Sequence, residues 1–278
     1  MIKKYLKFGL LFSFILAQGE FQICTIPENA FMLSNKNGFS ALQFKSNPVN
    51  NVKMDIIYFP SNINYMNIEY QKYSFSILDY GKLIDQIDNN IIDTFKSYEL
   101  ILKYNYQKQI KNIFTLKMNT GILYSQISNY NSSALTSDFK FYLNNKPNIV
   151  LSLNNIGFIL EQYTSNHQKM PIQMQLGILK NINNSEITMG YDLIYHTNIK
   201  KYEHILCMQI PIINEILFRI SSSNFREELL TGDLEQDWFY GFGYGLSIHS
   251  KNIHSDIGIS SLGDSGLIYG FSIQYDID

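Results

Sequence analysis

The chain has 278 residues and a formal net charge of −2, with 17% charged and 14% aromatic side chains. Ordinary soluble domains carry roughly 25% charged residues, so this chain is short of the charge that a fully wetted surface demands. Its basic residues are scattered, which argues against a nucleic-acid footprint, and no run of ~18 apolar residues follows the first twenty positions, which excludes a membrane-spanning helix there.

At the start of the chain, Lys3, Lys4 and Lys7 precede the apolar run Phe8 to Leu16, and Ala17-Gln18-Gly19 fits a small-x-small cleavage site. This layout predicts an export signal over residues 1–19, with an apolar run too short to span a bilayer. Further on, Leu83, Ile84, Ile87, Ile91, Ile92 and Phe95 show near-helical spacing. They fit either a helix over Lys82–Lys96 or a hairpin turning at Asp88-Asn89-Asn90.

From there the dominant signal is alternation with period two, the mark of strands. Tyr98, Leu100, Leu102, Tyr104 and Tyr106 share one face against Glu99, Lys103, Asn105 and Gln107. Phe114, Leu116 and Met118 oppose Thr115, Lys117 and Asn119; Met174, Leu176 and Ile178 oppose Gln173, Gln175 and Gly177. Met189, Tyr191, Leu193 and Tyr195 oppose Thr188, Gly190, Asp192 and His196. The stretch from Asp237 sets Trp238, Tyr240, Phe242, Tyr244, Leu246 and Ile248 against Gly241, Gly243, Gly245, Ser247 and His249. The last sets Leu267, Tyr269, Phe271, Ile273, Tyr275 and Ile277 against Ile268, Gly270, Ser272 and Gln274. Turn chemistry punctuates these runs at Asn144-Asn145-Lys146-Pro147, Asn183-Asn184-Ser185, Ser250-Lys251-Asn252 and Gly263-Asp264-Ser265-Gly266.

Alternation does not say which face meets lipid, because a soluble exported barrel alternates too. The strand lengths of about 9–11 residues suit a tilted bilayer crossing. With the charge deficit and the aromatics gathered on one face, they favour an all-β, closed antiparallel transmembrane barrel in the outer membrane, with outer-membrane lipid as its partner.

Chemistry-bearing motifs are sparse, and the expectation is no enzyme, no cofactor, and no catalytic, cofactor-binding or metal site. Gly263-Asp264-Ser265-Gly266 resembles a serine-protease nucleophile segment but reads better as a hairpin turn. Gly241-Phe242-Gly243-Tyr244-Gly245 is strictly alternating, so it reads as a strand whose small residues leave room for a plug inside the barrel. Among His167, His196, His204, His249 and His254 no ligand spacing stands out. His249 and His254, five apart, would fall on opposite faces of one regular strand. Glu227-Glu228, Asp233 and Glu235 lie in the polar stretch 224–237 and read as a solvated loop. Cys24 and Cys207 fit either a disulfide or two free thiols.

Several blocks, in order, resemble one family: Ser40-Ala41-Leu42-Gln43-Phe44-Lys45-Ser46-Asn47-Pro48, Tyr80-Gly81 through Ser97, Leu151 to Gly157, Lys169 to Gly177, Asn224 to Leu229, Gly241 to Gly245, and Gly266 to Ser272. The chain is similar in these to the PorV/PorQ family of outer-membrane proteins, relatives of FadL-type barrels, and most of all to the PorQ branch of the type IX secretion system. The resemblance implies a barrel of about 14 strands over residues 51–278, with residues 20–50 as an N-terminal segment in the lumen. It resolves 82–96 as a hairpin. It also implies a non-enzymatic role, anchoring partners among the type IX secretion proteins. The alternative is a FadL-like transporter of hydrophobic small molecules.

Overall fold

In the computed structural model, residues 21–43, 51–87, 90–110, 113–144, 147–163, 169–182, 186–232 and 237–277 are described. The predicted signal segment 1–19, residues 20 and 44–50 of the N-terminal segment, and the Asn183-Asn184-Ser185 turn lie outside them. Fourteen strands follow one another: β1 (Asn51–Phe59), β2 (Ile63–Tyr70), β3 (Tyr73–Ile87), β4 (Asn90–Ile110), β5 (Phe114–Ile127), β6 (Tyr130–Leu143), β7 (Asn148–Glu161), β8 (Gln173–Asn181), β9 (Thr188–His196), β10 (Lys201–Ile213), β11 (Ile216–Ser223), β12 (Phe242–Ser250), β13 (Ile253–Ser261) and β14 (Leu267–Asp276). Each pairs antiparallel with its sequence neighbours, and β14 closes onto β1 from Asn51↔Asp276 to Tyr58↔Tyr269. Closure matters in lipid, where a bare strand edge finds no hydrogen-bond partner.

The alternation sorts the side chains as a membrane requires. On β14, Leu267, Tyr269, Phe271, Ile273 and Tyr275 are exposed on the outside, while Ile268 and Ser272 are buried inside. Leu102, Ile122, Leu151, Met174, Leu206 and Ile257 continue the exposed apolar band around the cylinder. Many lumen-facing positions are instead small or polar, such as Ser76, Asn119, Ser125, Thr136, Ser221 and Ser260, while Ile57, Leu78, Ile101 and Leu123, and Val150, Leu179 and Ile205, form two apolar clusters inside. An apolar exterior around a more polar interior is the inverse of a soluble barrel and defines an outer-membrane one.

Both chain ends of the sheet, at Asn51 and Asp276, lie at the same end of the barrel. The tight turn Lys251–Asn252 between β12 and β13 is at that end. The longer connections after β7 and β11 are at the other, and outer-membrane barrels place short turns toward the periplasm and longer loops outside.

One local expectation is corrected. The strand expected from Asp237 starts only at Phe242. Trp238 to Gly241 form a turn in which the Phe242 amide donates to the Phe239 carbonyl at 3.4 Å, and Gly241 takes φ 73° against the Arg226 side chain. Over Lys82–Lys96 the hairpin holds rather than the helix: Leu83 pairs with Phe95 and Ile84 with Thr94 across β3 and β4. The expected turn residues Asp88 and Asn89 lie outside the described residues.

Candidate functional site

The lumen holds the chain's own N-terminal segment. A 3-10 turn over Gln22–Cys24 leads to a short helix α1 (Ala30–Ser34) and then to α2 (Ser40–Gln43). Asn29 caps α1: its side-chain oxygen accepts from the Met32 amide at 2.8 Å, satisfying one of the helix's open donors. Phe21, Ala30, Leu33 and Phe39 are almost wholly buried against the wall.

A glycine stripe makes room for this plug. Gly245 pairs with Gly258 and Gly258 with Gly270, so three strands present bare backbone in one row. A Cβ at Gly258 would stand 2.3 Å from the Ala30 carbonyl oxygen, and one at Gly243 2.5 Å from that of Ser34. Across the lumen, Gly177 and Gly190 do the same for Ser40 and Phe39.

Polar side chains then fix the plug. The Glu99 carboxylate accepts from the amides of Gln22 (3.2 Å) and Ile23 (2.8 Å) and from the Tyr80 hydroxyl (2.9 Å). Lys103 pairs with Glu28 of the plug and lies 3.8 Å from Asp138 of the wall. The Lys103 ammonium holds Glu28 well below the usual carboxylate range, at about 2. Ser40 donates to Asp192, which also accepts from Gln175 at 3.0 Å. Ser272 accepts from the Ala30 amide at 2.9 Å, and Ser221 donates to the Ser34 carbonyl at 2.7 Å. Buried Arg219 donates to Asp256 at 2.6 Å and lays its guanidinium 4.4 Å from the Phe31 ring centre. Buried charges need a partner: Glu28, Lys103 and Arg219 are ion-paired, while Glu99 and Asp192 are held by hydrogen bonds from neutral donors.

Among the described residues, the plug leaves a cavity of about 300 Å³ toward the longer-loop end. Phe21, Leu33, Phe225, Leu262 and Ile268 give it apolar walls; Lys36, His196 and Glu203 are its polar side. His196 Nε2 is 3.0 Å from a Glu203 carboxylate oxygen, and the Ser223 hydroxyl donates to the other oxygen at 2.6 Å. Lys36 donates to Ser260 at 2.6 Å and to the Ser261 carbonyl at 3.3 Å, and burial pushes its pKa down to about 8. A smaller cavity of about 60 Å³ around Glu28, Lys103, Asp138 and Lys140 is polar.

The motifs noted in the sequence fall elsewhere. Gly263 to Gly266 is the β13–β14 hairpin turn, in which Asp264 accepts from the Tyr240 hydroxyl at 2.8 Å. Glu228 pairs with Lys201 at the exposed rim at 2.6 Å, whereas Asp233 and Glu235 lie outside the described residues. Asp237 organises the same loop by accepting from the amides of Thr231 (2.7 Å) and Gly232 (2.9 Å), which holds its carboxyl below the usual range. Cys24 and Cys207 are both free, and burial pushes the Cys24 thiol up. His167 lies outside the described residues. His249 and His254 are not on opposite faces of one strand. They sit directly opposite each other across the β12–β13 turn, because the turn at Lys251–Asn252 reverses the chain between them. Among the described residues, no group of three His, Cys, Asp or Glu side chains is placed to hold a metal.

Sequence reasoning did not single out Glu28, Glu99, Lys103, Asp192 or Arg219. The usable signal was a charge on the small, wet face of a strand whose other face is greasy, since such a charge needs a partner inside the barrel.

No protein-family model matches the chain. No curated protein matches it either. Among solved structures, the CymD monoaromatic hydrocarbon channel superposes with a TM-score of 0.52 at 8% identity, over 90% of this chain and 97% of that one. A Pseudomonas aeruginosa FadL homologue gives 0.51 at 8% identity, over 91% and 99%. The P. putida toluene transporter TodX gives 0.50 at 8% identity, over 85% and 92%. The chain therefore shares with these proteins the fold of a closed outer-membrane β-barrel.

Proposed function

We propose that this outer-membrane barrel binds small hydrophobic molecules at its longer-loop end and passes them inward past the plug, without enzymatic chemistry. The observation that carries this reading is the cavity of about 300 Å³, walled on one side by Phe21, Leu33, Phe225, Leu262 and Ile268 inside the barrel. Ligand sites are concave, largely apolar, and carry a few placed polar groups. Two barrels of the same fold are described as handling aromatic hydrocarbons, which supports the same substrate class here. The test is calorimetric titration of the purified barrel in detergent with toluene. Saturable binding that Leu262→Trp abolishes by filling the cavity supports the proposal; no saturable binding, or equal binding by the variant, removes it.

The type IX secretion role implied by the PorV/PorQ resemblance is a second reading, with other secretion proteins as partners. Its support is the rim after β11, where Leu230, Trp238 and Phe239 are strongly exposed, Trp238 at 70%. Large exposed apolar groups on a loop suit a protein contact. Deleting the gene in a host with that system is then expected to impair cargo attachment at the surface; unchanged attachment argues against it.

A further inference from the structure

The geometry points to a transition-metal site at the short-turn mouth of the barrel, formed by His249 and His254. These residues flank the Lys251–Asn252 turn as a directly opposed cross-strand pair. His249 shares a face of β12 with Gly245 and Ser247, and His254 shares a face of β13 with Asp256 and Gly258, so both imidazoles line the inner rim. Their Nδ1 atoms stand 2.7 Å apart, within hydrogen-bond distance of each other.

The hydrogen bonds around the pair fix which nitrogens are bare. His254 Nε2 lies 3.1 Å from an Asp276 carboxylate oxygen. A carboxylate can only accept, so His254 carries its proton on Nε2 and presents a lone pair at Nδ1. Gln274 donates to the other Asp276 oxygen at 2.7 Å and fixes the carboxylate. A histidine whose far nitrogen donates to an anchored carboxylate is the arrangement that orients metal ligands and raises their basicity. Without metal, His249 holds its proton on Nδ1 and donates it to His254. On binding, that proton moves to His249 Nε2 through solvent, and both Nδ1 lone pairs reach the ion. Metal–nitrogen bonds of about 2.0–2.1 Å at the roughly 90° angle of a tetragonal copper(II) site need the two nitrogens about 2.9 Å apart, a small opening for two rim side chains. Asp256 is held by Arg219 and Ser247, so water completes the coordination. Imidazole donors suit copper, nickel and zinc ions, with copper the tightest.

Rim access agrees with this: the His254 and Asp276 side chains keep 32% and 25% of their surface open. The site is independent of the hydrophobic cavity, which lies toward the opposite mouth.

The experiment is copper(II) titration of the full, detergent-purified barrel, free of any histidine tag, followed by electron paramagnetic resonance. The expected spectrum shows hyperfine splitting from two equatorial nitrogens at one equivalent of copper. His249→Gln and His254→Gln each abolish it, and Asp276→Asn weakens affinity roughly 10- to 100-fold while keeping the two-nitrogen signal. Heat-modifiable gel mobility verifies that each variant is a closed barrel. Protection of both histidines from diethylpyrocarbonate by copper in the native protein gives a second readout that needs no variant. A two-nitrogen signal that survives in the double His→Gln variant, or no protection of the pair, overturns the proposal.

Discussion

Replacing Gly258 by Val attacks the seat of the plug without touching the lipid face. Its new Cβ would stand 2.3 Å from the Ala30 carbonyl oxygen, 3.1 Å from the carbonyl carbon and 3.3 Å from Cα. All three are backbone atoms, so no side-chain rotation relieves the clash, and α1 must retreat by about 1 Å, an overpacking that costs about 1–3 kcal/mol. The retreat also stretches the 2.9 Å bond from the Ala30 amide to Ser272, which contributes about 1 kcal/mol. Together they destabilise the seated plug by about 2–4 kcal/mol, a shift of roughly 30- to 1000-fold toward the unseated state. Conductance in planar bilayers reads this directly. The native barrel is expected to stay closed for most of the record, and Gly258→Val to show frequent large openings. Ile257→Val, one residue away on the lipid side, is the control and should match the native trace. A Gly258→Val record indistinguishable from native would refute the idea that the glycine stripe exists to admit the plug.

Three further outcomes follow from the same contacts. Glu99→Ala leaves the Gln22 and Ile23 amides and the Tyr80 hydroxyl without their acceptor; at about 1–3 kcal/mol for each buried group left unpaired, hydrogen exchange at residues 22 and 23 is expected to speed up by at least ~100-fold. Glu28 is held at about 2 against an ordinary value of 4.5 by Lys103. A depressed carboxyl stabilises the plug fully above pH 4.5 and loses that contribution as pH falls through 2. Channel openings should therefore increase over that window in the native barrel, and Glu28→Gln should flatten the dependence. Phe271→Arg puts a charge on the lipid face and is expected to cost about 2–4 kcal/mol near the bilayer centre, measured by urea unfolding in vesicles.

The barrel was legible in the sequence because each strand carries its own record. Leu267 to Tyr275 alternate with Ile268 to Gln274, and the structure exposes the first set and turns the second inward. What was not legible depends on register between strands. Gly245, Gly258 and Gly270 lie in three separate segments, and only pairing aligns them into one stripe under Ala30. The smallness of the Gly241–Gly245 face did point to a plug, yet Gly241 itself serves a turn. Counting along one strand misplaces His249 and His254, because it ignores the two-residue reversal that the turn chemistry of Ser250-Lys251-Asn252 supplies. Trp238 and Tyr240 keep the parity of β12 without belonging to it. Period-two spacing continues through a turn by chance over a few residues, and backbone conformation decides where the strand starts. The cavity was out of reach altogether, since Phe21, Leu33, Phe225 and Ile268 meet only through closure.

The central claim is that the apolar set of alternating side chains faces hydrocarbon and the polar set faces the lumen. Spin labels at Leu206, Ile257 and Phe271, and at Ser221, Ser260 and Ser272, test it most directly, with Cys24 and Cys207 replaced by Ser and the protein in lipid bilayers. Labels at the first three sites should collide freely with oxygen, which concentrates in hydrocarbon, and little with a water-soluble nickel chelate. Labels at the serine sites should show low oxygen access. The reverse pattern, with the serine sites open to oxygen and the apolar sites sheltered from it, would contradict the account.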